Sequence, residues 1–268
     1  WAGRGRPVLV NAWEGFMFDF DAKRLLSLAK RAKAIGAELF VMDDGWFEGR
    51  DDDTGGLGDY EPDRKKLPEG VAGLAKAVRK LGLDFGIWVE PEAVNPRSRL
   101  YAAHPDWAIT EPGREPVLCR NELLLDLARA EVRDYIVESV GGLLDSAEIS
   151  YVKWDMNRHL AGVSGEHMHR YILGLYEVLG RIFGPRPEIL LESCSSGGNR
   201  FDLGMLCFSP QVWSSDDTDA IERLDIQKGL SYLYPLSAMG AHISACPNAQ
   251  TLRRTPMGTR FAVSCFGC

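Results

Sequence analysis

Tyr151-Val152-Lys153-Trp154-Asp155-Met156-Asn157 is the stretch from which the fold is read. A short run rich in aromatic and β-branched residues reads as a strand, and this one ends on a carboxylate. The same succession recurs on both sides. Leu39-Phe40-Val41-Met42 runs into Asp43-Asp44-Gly45-Trp46, and Phe85-Gly86-Ile87-Trp88-Val89 into Glu90-Pro91-Glu92. Ile189-Leu190-Leu191 runs into Glu192-Ser193-Cys194-Ser195-Ser196-Gly197-Gly198, and Gln211-Val212-Trp213 leads to Asp216-Asp217-Thr218-Asp219. Val8-Leu9-Val10 opens the series and ends at Asn11-Ala12-Trp13. Leu236 to Ile243 and Phe261 to Cys265 read as its last two members.

Helical patterns separate these runs. Ala22 to Ala37 is amphipathic, with Leu25, Leu26, Leu28 and Ala29 on one side and Lys23, Lys30 and Lys33 toward the other. Glu69 to Leu81 follows Pro68, a good helix-start residue. Ala130 to Leu144, His169 to Phe183 and Ile221 to Leu233 complete the set. Continuous apolar strands alternating with helices indicate a parallel sheet in an α/β protein. Seven or eight such units favour a closed (β/α)8 barrel of the TIM type over a doubly wound sheet. No dinucleotide-binding glycine fingerprint follows the first strand, which weighs in the same direction.

Residues 1–268 are therefore expected to form one barrel domain, incomplete at its C-terminal end. Nothing remains after Phe261–Cys265 to form the helix that should cover an eighth strand, so the fragment alone is expected to associate. The chain opens on Trp1-Ala2-Gly3 without an initiator Met and reads as part of a longer protein.

A net charge of -7 is a poor match to nucleic acid or an anionic membrane. No apolar run reaches membrane-spanning length, and no leader pattern is visible. The six cysteines, at 119, 194, 207, 246, 265 and 268, are scattered, which reads as free thiols in a reducing compartment, the cytoplasm. Cys265-Phe-Gly-Cys268 has redox spacing but no following helix to lower a thiol pKa, so the spacing is read as coincidence.

Barrel active sites lie at the C-terminal ends of the strands, so the carboxylates should converge there with Trp13, Trp46, Trp88, Trp154 and Trp213. Carboxylates accept bonds from hydroxyls and indoles cover the apolar face of a pyranose, which suits a sugar. Hydrolysis of a glycosidic bond needs two carboxyl groups. The same acids could hold a divalent cation. However, the adjacent Asp43 and Asp44 suit two substrate hydroxyls better, and His167-Met168-His169 reads as surface histidines rather than ligands.

At these residues the chain resembles glycoside hydrolase family 36, the bacterial α-galactosidases, and more distantly the plant raffinose synthases. The matching segments run in order along nearly the whole chain: Asn11-Ala12-Trp13-Glu14, Met42 to Phe47, Gly86 to Glu92, Arg120-Asn121-Glu122, Lys153 to Arg158, Glu192 to Ser195 and Trp213 to Ala220. The resemblance implies Asp155 as nucleophile and Asp216 as acid/base. It implies Asp43 and Asp44 as ligands of the galactose 4- and 6-hydroxyls, and Trp13 and Trp88 as walls of the sugar pocket. Arg120, Lys153, Asn157, Cys194 and Gly197 become further sugar contacts. Asp217 stands where many relatives have Asn, which makes it a rival to Asp216, and Ala249 stands where His is common. The family's flanking β domains have no counterpart in this stretch.

The resemblance implies release of terminal α-linked galactose from melibiose- or raffinose-type sugars by double displacement, with Asp155 and Asp216 about 5–5.5 Å apart. No metal or organic cofactor is expected, and the longer parent is a candidate homo-oligomer. Transglycosylation and an N-acetylgalactosamine substrate stay open. The rivals in other classes are a metal-dependent lyase, a Schiff-base aldolase on Lys153, and a non-catalytic sugar-binding barrel.

Overall fold

The computed structural model describes residues 5–111 and 113–267. Cys268, and with it the second half of the C-x-x-C spacing, lies outside the described residues, as do Trp1 to Gly3. The chain divides into two compact units. One runs from Pro7 to Ile189; the other begins at Leu190 and takes in Arg6.

In the larger unit, four parallel strands pair in the order β1 (Leu9–Asn11), β2 (Leu39–Met42), β3 (Asp84–Val89) and β6 (Tyr151–Trp154). Between them come α1 (Trp13–Phe16), α2 (Ala22–Ala34), α3 (Gly70–Lys80), the short pair β4 (Ala93–Val94) and β5 (Leu123–Leu124), α4 (Arg99–Ala103) and α5 (Ala130–Ser146). The unit closes with α6 (Gly165–Phe183). Every residue of β2 is buried, as a parallel strand covered on both faces requires.

Local chemistry sets the helix ends. Asp21 caps α2 by accepting from Arg24 N at 2.7 Å, and Leu25, Ala29 and Ala32 form its buried stripe. Ser164 caps α6 by accepting from His167 N at 3.2 Å, which starts that helix four residues before the apolar pattern that first signals it. Gly174 is where α6 meets the chain before α5, because an added Cβ would lie 2.1 Å from Leu127 O.

The smaller unit holds β7 (Leu190–Ser193), α7 (Leu203–Leu206), β8 (Gln211–Trp213), α8 (Ala220–Ser231), β9 (Met239–Gly240) and α9 (Met257–Ser264). Strands β7, β8 and β9 are parallel. Two expectations are corrected here. Leu236 to Ile243 is not one strand: Pro235 leads a single 3-10 turn, Leu236–Ala238, and only Met239 and Gly240 pair with β8. Phe261 to Cys265 is not an eighth strand but the end of α9, with Arg260 N bonding Pro256 O and Cys265 N bonding Phe261 O, each at 3.1 Å. A five-residue apolar run does not distinguish strand from helix; the proline before Met257 was the signal that does. The bare outer face expected of an eighth strand therefore has no counterpart, although Phe261 on α9 is itself exposed.

Candidate active site

In the larger unit the ladder between β3 and β6 pairs Trp88 with Lys153 and Val89 with Trp154, then continues as Asp155 N donates to Val89 O at 2.8 Å. This register sets the loop after β3 beside the loop after β6. Alternation along a strand puts Lys153 and Asp155 on one side and Trp154 on the other. Asp155 is buried, and its carboxylate accepts from at least three donors. Trp88 Nε1 (3.1 Å) and Asn157 Nδ2 (3.0 Å) donate to Oδ2, and Met156 N donates to Oδ1 at 2.9 Å. A carboxylate among donors is oriented by them.

Asp43 and Asp44 follow β2. Asp43 Oδ2 accepts from Asn11 Nδ2 at 2.6 Å and from Lys153 Nζ at 3.1 Å, so β1, β2 and β6 meet at one oxygen. Asn11 also fixes Trp13, whose backbone N donates to Asn11 Oδ1 at 2.8 Å. Asp44 receives a forked pair from Arg50, Nε to Oδ1 at 2.9 Å and Nη2 to Oδ2 at 2.8 Å. Burial pushes the Asp44 carboxyl up, against the pull of Arg50.

Arg50 is fully buried, and sequence reading missed it. So were the roles of Glu90 and Glu122 as buried acids. Glu90 accepts from the backbone N of Asn157 and from its Nδ2, the latter at 2.9 Å. Burial pushes Glu90 well above the usual carboxylate range, helped by the charges of Glu122 and Asp155 and opposed by the Asn157 bonds. Glu122 has no hydrogen-bond partner for either oxygen among the described residues; the nearest cation is Arg50 Nη2, 4.0 Å from Oε1. Burial raises its pKa to about 7. Glu122 sits on a tight hairpin whose two central residues, Arg120 (φ 51°) and Asn121 (φ 61°), both take the left-handed backbone. Arg120, exposed at that turn, is the costlier occupant, since only Asn and Gly adopt this region readily.

The indoles do not all line a site. Trp46 and Trp154 are fully buried. Trp46 Nε1 donates to Trp88 O at 2.9 Å, and Trp154 Nε1 donates to Glu92 Oε1 at 2.7 Å. Glu92 also accepts from Tyr171 OH at 2.7 Å, tying β6 to α6. These two tryptophans and Glu92 belong to the core, which corrects their expected place among sugar-facing groups. Trp88 is buried as well, but its N–H reaches Asp155. His167 Nε2 lies 2.9 Å from Asp126 Oδ1, and no group of three or more potential metal ligands occurs among the described residues.

The smaller unit is described by itself. Asp216 is exposed, and its Oδ1 accepts from Trp213 Nε1 at 2.9 Å. Asp217 is turned into its own loop, where Oδ1 accepts from Asp219 N at 3.0 Å. Asp219 in turn caps α8 through Ile221 N at 2.8 Å and pairs with Arg253 at 2.7 Å. Three neighbouring aspartates thus have three duties, and Asp216 is the one presented outward. Arg223, buried and lowered by that burial to about 10, donates to Asp217 O and Ser215 O and holds this loop in place. Cys194 is buried after β7. Gly197 (φ 89°) passes so close that a Cβ there would lie 2.8 Å from Ser215 Cα and 3.0 Å from Asp216 N. The glycine lets the loop after β7 lie against the backbone that carries Asp216.

No disulfide joins the described cysteines, 119, 194, 207, 246 and 265. No helix among the described residues is long and apolar enough to cross a membrane.

A family model described as Melibiase matches residues 1–268. The chain is 51% identical over 273 residues to alpha-galactosidase AgaA of Geobacillus stearothermophilus, a match covering 98% of this chain and 37% of that protein. It is 51% identical over 263 residues to the bifunctional alpha-galactosidase/sucrose kinase AgaSK of Mediterraneibacter gnavus, covering 98% and 28%. The crystal structure of AgaA aligns over 98% of this chain and 38% of its own with a TM-score of 0.96. An AgaA variant in complex with raffinose aligns with a TM-score of 0.95 at 50% identity, again over 98% and 38%. The chain thus spans 37% and 28% of the length of the two curated relatives.

Proposed function

The chain belongs to the Melibiase family, and from that premise we infer that it forms the catalytic (β/α)8 domain of a retaining, exo-acting α-galactosidase. The observation that carries this reading is Asp155, a buried carboxylate at a strand end, oriented by three donors and flanked by a strand-borne lysine. The relatives named as alpha-galactosidases support the activity. The raffinose and stachyose complexes of AgaA variants support a substrate class of galacto-oligosaccharides with a terminal α-linked galactose.

In this reading Asp155 attacks the anomeric carbon. The bond from that carbon to the glycosidic oxygen breaks as Asp216 gives its proton to the departing oxygen. Asp216, now a carboxylate, takes a proton from water; the water oxygen bonds the anomeric carbon and the ester to Asp155 breaks, giving α-galactose. Asp43 and Asp44, held by Lys153 and Arg50, are assigned to the galactose 4- and 6-hydroxyls, because a carboxylate already fixed by a cation offers a preformed acceptor. Trp13 and Trp88 are assigned to the pocket walls, and Arg120, Lys153, Cys194 and Gly197 to its further polar lining. The described cysteines, unjoined by disulfides, support a reducing, cytoplasmic setting. A homo-oligomer of the longer protein remains part of the proposal.

The test follows the anomeric protons by NMR during hydrolysis of nitrophenyl α-galactoside. Retention predicts that α-galactose appears first and then mutarotates. First appearance of the β-anomer, or no galactose at all, would overturn the reading.

A further inference from the structure

We propose that Glu90 is a positioning residue for the nucleophile, acting through Asn157. This rests on the role proposed for Asp155. The geometry is a relay of three side chains from two adjacent strand ends. Glu90 follows β3 directly, and Asp155 and Asn157 follow β6. Both oxygens of Glu90 accept from one residue, Oε1 from the Asn157 backbone N and Oε2 from Nδ2 at 2.9 Å. The same Nδ2 donates to Asp155 Oδ2 at 3.0 Å. A carboxamide nitrogen carries two hydrogens. Here one points to each carboxylate, so the group bridging Glu90 and Asp155 has to be the NH2 end. Glu90 is fully buried and grips Asn157 at both main chain and side chain. That fixes the direction of the hydrogen aimed at Asp155 more tightly than a lone asparagine could.

Glu90→Gln keeps shape and volume but replaces one acceptor oxygen with an NH2. Two donors then face one acceptor and one donor. If the glutamine oxygen stays on the backbone N, its NH2 meets Asn157 Nδ2, and the carboxamide has to turn over. Its oxygen then faces Asp155 Oδ2, and attraction becomes repulsion. The nucleophile loses a charge-assisted bond and its fixed orientation, while groups that bind galactose are left in place.

The experiment is a set of variants in the full chain, assayed on nitrophenyl α-galactoside. Glu90→Gln should lower kcat roughly 10- to 100-fold with KM within about threefold. Asn157→Ala should do the same, and the double variant should be no worse than the poorer single within about twofold. Losses that multiply in the double variant would overturn the relay. A rise in KM at unchanged kcat for Asn157→Ala would show that Asn157 does not act on the nucleophile and would also overturn it. Should Glu90→Gln fail to fold, the split between kcat and KM in Asn157→Ala decides alone. A second arm repeats Glu90→Gln in an Asp155→Ala background with added azide. With the carboxylate gone, Glu90→Gln should change the rescued rate by less than about twofold; a loss as large as in the parent would mark a general structural role and overturn the proposal. Absence of any azide rescue would instead count against Asp155 as nucleophile, leaving the comparison of the two singles and their double to judge the relay.

Discussion

Glu122→Gln should stabilise the protein at alkaline pH and barely affect it at pH 5. The Glu122 carboxyl is fully buried, has no hydrogen-bond partner among the described residues, and lies 4.0 Å from Arg50 Nη2. Its carboxyl titrates at about 7, against 4.5 for an ordinary glutamate, chiefly because burial disfavours the charge. Between those values the folded state holds a proton that the unfolded state has released. Stability from this group is therefore present below pH 4.5 and is lost as pH rises toward 7. The gap of about 2.5 units, at about 1.4 kcal/mol each, amounts to ~3 kcal/mol lost by pH 8. Glutamine mimics the neutral acid and does not titrate. The melting midpoint of Glu122→Gln should exceed that of the parent by roughly 6–12 °C at pH 8 and by roughly 3 °C or less at pH 5. Scanning calorimetry at a fixed rate in matched buffers from pH 5 to 8.5 gives both curves. A difference between the two proteins that does not vary with pH would refute the reasoning, because it would mean that Glu122 stays ionised throughout, with Arg50 close enough to hold the charge.

Asp155→Ala should abolish turnover, and azide should restore part of it as β-galactosyl azide, identified by NMR; near-normal activity without azide would remove Asp155 from its role. Asp216→Ala should slow raffinose at least 100-fold more than a nitrophenyl substrate, whose leaving group needs no proton, while Asp217→Ala costs less; the reverse order would move the acid role to Asp217. Gly197→Ala, with its Cβ driven against Ser215 and Asp216, should lower kcat on raffinose by roughly tenfold or more, and unchanged kcat would show that the loop can yield. Arg50→Met leaves Asp44 buried without its partner and should cost roughly 3–5 kcal/mol, read as a fall in melting midpoint.

Much of the fold was legible because the strands are short, apolar and separated by amphipathic helices. The limits of β2, β6 and β8 agree with the sequence reading residue for residue. The misses fall where two signals compete. At Phe261–Cys265, apolar content alone suggested a strand, while the proline before Met257 gave the helix start. At Leu236–Ile243, Pro235 and a 3-10 turn left two residues for pairing. The helix α6 began early because Ser164 supplies a cap that no apolar periodicity announces.

The site was legible one level less deeply, for a reason that lies in the chemistry of carboxylates. Sequence places acids at strand ends but does not say what each oxygen will meet. Asp43, Asp44, Glu90, Glu92, Glu122 and Asp155 look equivalent on paper, yet the structure gives them five distinct surroundings. Asp43 and Asp44 are charge-paired, one with Lys153 and one with Arg50. Glu92 binds two neutral donors and stitches the core. Glu90 grips an asparagine, and Asp155 collects donors from an indole, an amide and the backbone. Glu122 has no hydrogen-bond partner at its carboxyl among the described residues, and the charges of Arg120 and Arg50 alone oppose its burial among the groups around it. Burial pushes Asp44, Glu90 and Glu122 toward the neutral acid, because burial works against charge and only donors or cations offset it. Arg50, the cation paired with Asp44, sits in the loop after β2 between Glu48-Gly49 and Asp51-Asp52-Asp53, a run that reads as a solvated charged stretch and does not mark it. It pairs with Asp44 and lies 4.0 Å from Glu122, so one guanidinium opposes the upward push of burial on both acids. A nucleophile embedded in that many buried carboxylates keeps its own charge only if some of its neighbours give up theirs. Glu90 and Glu122 are the neighbours that burial pushes up, and Glu122, with no hydrogen-bond donor at either oxygen, lacks the bonds that oppose that push at Glu90.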